Sequence, residues 1–233
     1  MNSLRILSGG AAQGLATHLA PTLKSTTGFN LTGEFGAVGG MADKLRHGDP
    51  ADIVILTTAL IARLAEEKLV DPASITDIGL VETSLAVRSR DPKLIVRNAD
   101  DLRRALLAAD AIYLPDTSAS TAGIHAAKVL QQLGIADQVR ARLKIHPNGA
   151  TAMRELAASG AKRPIGCTQS TEIISTEGVE LSGSLPRGCE LKTMYSAALA
   201  TAAANGPQAQ ALIKLLAGPE AKDLRRRAGF LDA

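Results

Sequence analysis

The sequence predicts an α/β protein built from two similar units, each a mostly parallel sheet flanked by helices. Three observations carry this. Strand-like and helix-like segments alternate from Leu4 to Lys68, the order that builds a parallel sheet with crossover helices. The run Ile53-Val54-Ile55-Leu56 is continuous and mostly β-branched, as strands buried on both faces are. The same grammar begins again after Ser84.

Taken in order, Leu4 to Leu7 is a strand, and Ser8-Gly9-Gly10-Ala11 turns it into a helix over Ala12 to Thr26. Pro21 interrupts or kinks that helix and Gly28 ends it. Phe29 to Glu34 alternates as a second strand. A glycine-rich turn leads to a helix around Met41 to Arg46, stopped at His47-Gly48. Ile53 to Leu56 is the third strand, and Ile61 to Lys68 the third helix. Ser84 to Arg88 opens the second unit, followed by the Asp91-Pro92 turn. Asn98 caps a helix with Leu102, Ala105, Leu106 and Ala109 on one face. Ala111 to Leu114 is a strand, and a polar turn from Pro115 to Thr121 delivers a helix with Ala126, Val129, Leu130 and Leu133 inward. Ile135 to Leu143 reads as a further helix and Lys144 to His146 as a strand. Asn148-Gly149 turns into the helix Ala150 to Ala158, and Ile165 to Thr168 is a short strand. Residues 171–190 are rich in turns, and two or three helices end the chain from Thr193 onward.

Composition bounds the function. With 233 residues the chain can hold one large core or two modest lobes. Trp is absent and Tyr and Phe number two and three, so an aromatic box for a small molecule is not expected. The formal charge of +3 is mildly basic, and Arg225-Arg226-Arg227 is a short cluster on a terminal helix. Nucleic-acid binding wants a broader basic face, so none is expected. No run reaches transmembrane length, so direct membrane insertion is not expected either. The opening MNSLRILSGG lacks the apolar core of a secretion signal. The expectation is a cytoplasmic protein as the chain stands, periplasmic if a leader has been removed. Cys167 and Cys189 form no metal motif, and a disulfide between them is open in principle. His18, His47, His125 and His146 are scattered, so no metal and no cofactor are expected.

Open α/β sheets place ligands beyond the carboxyl ends of their strands, and the site residues are sought there. Ser8-Gly9-Gly10 offers main-chain N–H groups at a helix start, which attract anions, or simply a tight turn. Ala37-Val38-Gly39-Gly40 repeats that arrangement without the spacing of a dinucleotide fingerprint. Thr57 and Thr58 either cap the next helix or face the ligand. Ser118, Ser120 and Thr121 supply more hydroxyls than capping needs. Asn148 is a donor or an Asn-Gly turn residue, and Gln169 and Ser170 follow the strand at Ile165. Cys167 is expected to pack within that strand.

Four segments, ILSGGAAQGL, GGMADKLRHGDPADIVIL, DTSASTAGIHAAKVLQQLGIADQV and GPEAKDLRRRAGF, resemble the type 2 periplasmic-binding-protein fold, and within it the molybdate-type solute-binding proteins. The resemblance implies two lobes joined by a two-strand hinge, residues 1–82 with 178–233 and residues 83–177, with ligand held in an interlobe cleft. It implies oxyanion contacts at Ser8-Gly9 and Ala37-Val38, and others at the Ser118 to Thr121 loop and Asn148. Where relatives often carry a ligand-binding tyrosine, this chain reads GCTQS, with Gln169 close to that position.

The function expected is the binding of a small anion, an oxyanion or an organic carboxylate, with ABC-transporter membrane components as partners if the protein is exported. The alternative is an isomerase or lyase acting on a small unsaturated organic acid, with His125 or His146 moving a proton. A ligand-sensing module acting through a partner protein is the third reading.

Overall fold

The computed structural model describes residues 2–231 and divides the chain into two compact units, residues 1–81 with 193–233 and residues 82–192. In the first unit, β1 (Ser3–Gly9), β2 (Asn30–Gly36) and β3 (Ile53–Thr57) are parallel, with β1 in the middle. The helices α1 (Gln13–Thr27), α2 (Val38–Arg46) and α3 (Thr58–Glu66) follow them in turn. α1 continues through Pro21, which lies on the solvent face, where water can serve the carbonyl it leaves unpaired.

The chain passes into the second unit within β4 (Thr76–Arg88), which begins eight residues before the predicted Ser84. There, α4 (Ala99–Ala108), β5 (Ala111–Pro115), α5 (Thr121–Gln132) and the short α6 (Ala136–Val139) lead to β6 (Leu143–His146). The helix expected to run to Leu143 is therefore only four residues of α-helix and a 3-10 turn, and Leu143 already belongs to a strand. Then come α7 (Gly149–Ala157), β7 (Pro164–Gln169), α8 (Ser170–Ile174) and β8 (Val179–Ser184). The sheet order is β4-β7-β5-β6, with β8 on the other side of β4. β5 is parallel to both neighbours, whereas β4 runs antiparallel to β7 and β8, so the sheet is mixed. Residues 178–192, assigned from sequence to the first lobe, pack in the second unit: β8 pairs β4, and Leu185 and Cys189 enter its core.

The largest departure lies after Lys192. Residues expected to be helical form β9 (Lys192–Leu199), antiparallel to β3 and next to β4 in strand order. Its run Ser196-Ala197-Ala198 is fully buried, and small side chains let neighbouring layers close over a central strand. An alanine-rich run carries no β-branched signal, so helix propensity misleads there. The first unit ends with α9 (Gly206–Ala217) and α10 (Lys222–Arg227).

Asp52 ties the first unit together. Its carboxylate, 3% exposed, accepts the Arg5 N–H at 2.8 Å, the Asn205 N–H at 2.9 Å and the Asn205 side-chain amide at 3.2 Å. It thereby joins β1, the entry to β3 and the start of α9. In Asp52→Ala two part-buried N–H groups lose a charged acceptor, and a loss of about 2 kcal/mol is expected in urea unfolding. A change under 1 kcal/mol would show that water takes the carboxylate's place.

Candidate functional site

In the first unit the three parallel strands end level, with Gly9 opposite Gly36 and Ser8 opposite both Phe35 and Ile55. Ser8 is fully buried, and its hydroxyl donates to the Gly9 carbonyl at 2.9 Å. Gly9 must be glycine by contact: a Cβ there would stand 2.8 Å from Val38 Cγ1 and 3.1 Å from Tyr195 Cε1. The Ser8-Gly9-Gly10 turn therefore touches the start of α2. That start, Ala37-Val38-Gly39, receives no side-chain cap. Its leading N–H groups have no partner within the helix. A Cβ on Gly40 would meet nothing, so the surface there is open.

Thr57 caps α3, accepting the Leu60 N–H at 3.4 Å. Ser196 donates to Asp77 at 2.6 Å and so accepts from the Thr58 hydroxyl at 2.5 Å. Both threonines thus have structural partners. Tyr195 lies directly opposite Thr57 and is 2% exposed. It joins the strand-end group without a sequence signal of its own, because it sits in the stretch read as helix.

In the second unit the turn after β5 is organised by Asp116. Its Oδ1 accepts the Ser118 hydroxyl at 2.6 Å and the N–H groups of Ser118 and Ala119 at 2.7 and 2.8 Å. The Ser118 hydroxyl, followed by these N–H groups, holds the Asp116 carboxyl below its ordinary range. Ser118 is therefore engaged, whereas Ser120, buried at the N-cap of α5, makes no side-chain capping bond. Thr121 opens the helix beside it.

The start of α7 is filled from within. Asn148 Oδ1 accepts the Thr151 N–H at 2.8 Å, which is a cap. Glu172, 4% exposed, accepts the Thr168 hydroxyl at 2.5 Å and the N–H groups of Gln169, Ala150 and Gly149. Burial pushes its carboxyl above the ordinary range, and these donors offset only part of that rise. Three of the four neighbours are main-chain N–H groups, which only donate, and the Thr168 hydroxyl can donate as well, so the geometry suits the carboxylate. The side chain of Glu172 thus stands where an anion would sit at a helix start, a role the sequence does not disclose.

Gln169 ends β7 and is 3% exposed. Neither atom of its carboxamide finds a partner among the described residues, nor do the hydroxyls of Thr83, Ser84 and Thr171. Ser170 opens α8 and is buried. His125 Nε2 lies 2.8 Å from the Cys189 carbonyl and so carries the proton. His146 stacks on Tyr113, and its buried Nε2 has no partner among the described residues. Cys167 and Cys189 are free thiols. Burial pushes Cys167 up to about 12, so it is no nucleophile at neutral pH. Among the described residues no group of three or more His, Cys, Asp or Glu is placed to hold a metal ion.

Comparison with known proteins adds to this geometry. Residues 4–231 match the family described as bacterial extracellular solute-binding protein. The chain is 26% identical over 232 residues to an aconitate isomerase from Pseudomonas sp, covering 95% of this chain and 84% of that one. The periplasmic molybdate-binding protein of Azotobacter vinelandii superposes with a TM-score of 0.81 at 18% identity, over 99% of both chains. The sulfate-binding protein SubI of Mycobacterium tuberculosis H37Rv superposes with a TM-score of 0.75 at 20% identity, over 99% of this chain and 86% of that one.

Proposed function

Since the chain belongs to the bacterial extracellular solute-binding protein family, we propose that it binds a small anion, an organic acid or an oxyanion, at the carboxyl ends of its strands. The observation that carries this reading is that α2 and α5 both start at strand ends with no side chain capping them. Free helix-start N–H groups, with the helix dipole behind them, favour a negative partner. Ser8, Gly9, Gly10, Ala37, Val38 and Gly39 serve from the first unit, and Ser120, Thr121, Gln169 and Ser170 from the second. Thr57, Ser118 and Asn148 shape these ends through their bonds to Leu60, Asp116 and Thr151. An exported, periplasmic location completes the reading, with delivery of the ligand to the membrane components of an ABC transporter. No helix among the described residues is long and apolar enough to cross a membrane.

The likeness to an aconitate isomerase over almost the whole chain favours a second reading, isomerisation of an unsaturated organic acid. The helix-start N–H groups would stabilise an enolate-like charge, and a group such as His146 would move the proton. His125 is less suited, since its Nε2 proton is held by the Cys189 carbonyl.

One experiment serves both readings. The purified protein is incubated with molybdate, sulfate, hydrogen phosphate, citrate, malate and cis- and trans-aconitate, and thermal stability and proton NMR spectra are recorded. Binding without turnover gives a rise in Tm for a member of the panel and unchanged spectra. Interconversion of the aconitates establishes the enzyme. No rise in Tm with any member refutes the anion reading.

A further inference from the structure

Resting on the anion-binding reading, we propose that Gln169 and Thr83 form an uncharged subsite for a hydroxyl group of the ligand, which makes the ligand a hydroxylated organic acid. The two residues are directly opposite each other in the antiparallel β4–β7 pair. Strand alternation puts them on the same face as their neighbours Leu85 and Cys167, which belong to the core shared with α5. They are 3% and 1% exposed, and Oε1 and Nε2 of Gln169 and Oγ1 of Thr83 all lack a partner among the described residues.

Their main-chain groups, by contrast, are used. The Thr83 N–H donates to the Leu191 carbonyl at 2.9 Å, and the Gln169 N–H donates to Glu172. Only the side chains are unspent. A buried polar group without a partner costs about 1–3 kcal/mol, so three such atoms on paired residues point to a guest.

Their hydrogen-bonding capacity decides what kind of guest. A carboxamide presents one donor and one acceptor edge, and a hydroxyl does both. A carboxylate or a fully deprotonated tetrahedral oxyanion accepts only, and would leave Oε1 orphaned. A ligand hydroxyl donates to Oε1 and accepts from Nε2 or from Thr83. The ligand's anionic groups then belong at the helix starts, and its hydroxyl at Gln169.

Acids that differ only in one hydroxyl provide the test: citrate against tricarballylate, and malate against succinate, titrated by calorimetry. The wild-type protein is expected to bind the hydroxylated member of a pair at least about tenfold more tightly. In Gln169→Leu, and separately in Thr83→Val, that ratio falls to within about twofold. Either variant alone suffices if the other fails to fold, as judged by its thermal melt. Equal binding of both members by the wild type overturns the proposal and leaves the anion reading standing, with water filling the subsite. Binding of molybdate or sulfate but of no hydroxy acid overturns it in the same way. If nothing binds, both readings fall together.

Discussion

Gly123→Ala is expected to be among the most damaging single substitutions in the second unit. A Cβ at that position would stand 2.1 Å from the Asp116 carbonyl oxygen and 2.5 Å from that of Pro115. Both obstacles are main-chain atoms at the end of β5, so no side-chain rotation relieves the clash. α5 would have to lift from the sheet, and it buries Ala122, Ala126, Val129 and Leu130 there. Overpacking a core costs about 1–3 kcal/mol when side chains can yield, and here they cannot, so at least about 3 kcal/mol is expected in urea unfolding. The turn holding Ser120 and Thr121 moves with the helix start, so ligand binding should weaken beyond what stability accounts for. Gly40→Ala supplies the control: its Cβ would meet nothing, and it lies inside α2. Alanine there should stabilise by about 0.4–1 kcal/mol through helix propensity and a less free unfolded chain. A Gly123→Ala protein within 1 kcal/mol of wild type would mean that α5 is not seated as described.

That contrast also marks where sequence reading reaches its limit. The strand at Ile53 to Leu56 announces itself because a buried parallel strand must be apolar on both faces. The turns after it, and those at Ser8-Gly9-Gly10 and Ser118 to Thr121, are legible because helix starts need small or hydroxylated residues. β9 is not legible, because its alanines are chosen for close packing in mid-sheet and imitate a helix. Tyr195 is hidden along with it. Glu172 is hidden for another reason. Within Ser-Thr-Glu-Ile-Ile it looks like any helical acid, and its partners Gly149 and Ala150 come from a different helix. Only the fold brings them together. The glycines are equally ambiguous in the sequence: nothing there distinguishes Gly123, pressed on two carbonyls, from Gly40, facing open space.

The Gly149–Glu172 pair allows the hidden part of the site to be tested by its energetics. A Cβ on Gly149 would stand 1.9 Å from Glu172 Oε2 and 2.1 Å from Thr168 Oγ1. Gly149→Ala therefore expels the carboxylate from the donors that hold it, and a loss of about 3 kcal/mol or more is expected for a buried charge stripped of its partners. Glu172→Ala removes the acceptor instead and leaves the N–H groups of Gly149, Ala150 and Gln169 facing an empty space, at a similar cost. The two losses should not add. Once the carboxylate is gone, the methyl that Gly149→Ala introduces enters the space it left as the Thr168 hydroxyl, a side-chain atom, rotates aside. The double variant should then be close in stability to Glu172→Ala alone, a coupling of about 2 kcal/mol or more. The space left in Glu172→Ala also keeps the donors of an anion site. Formate should fill it, raising the Tm of that variant with concentration while leaving the wild type unmoved. Additive losses, or a formate effect equal in both proteins, would show that Glu172 is not the anion that holds the start of α7. Should the cycle close as expected, α7 is satisfied from within, and the anion proposed as ligand is left to uncapped helix starts such as those of α2 and α5.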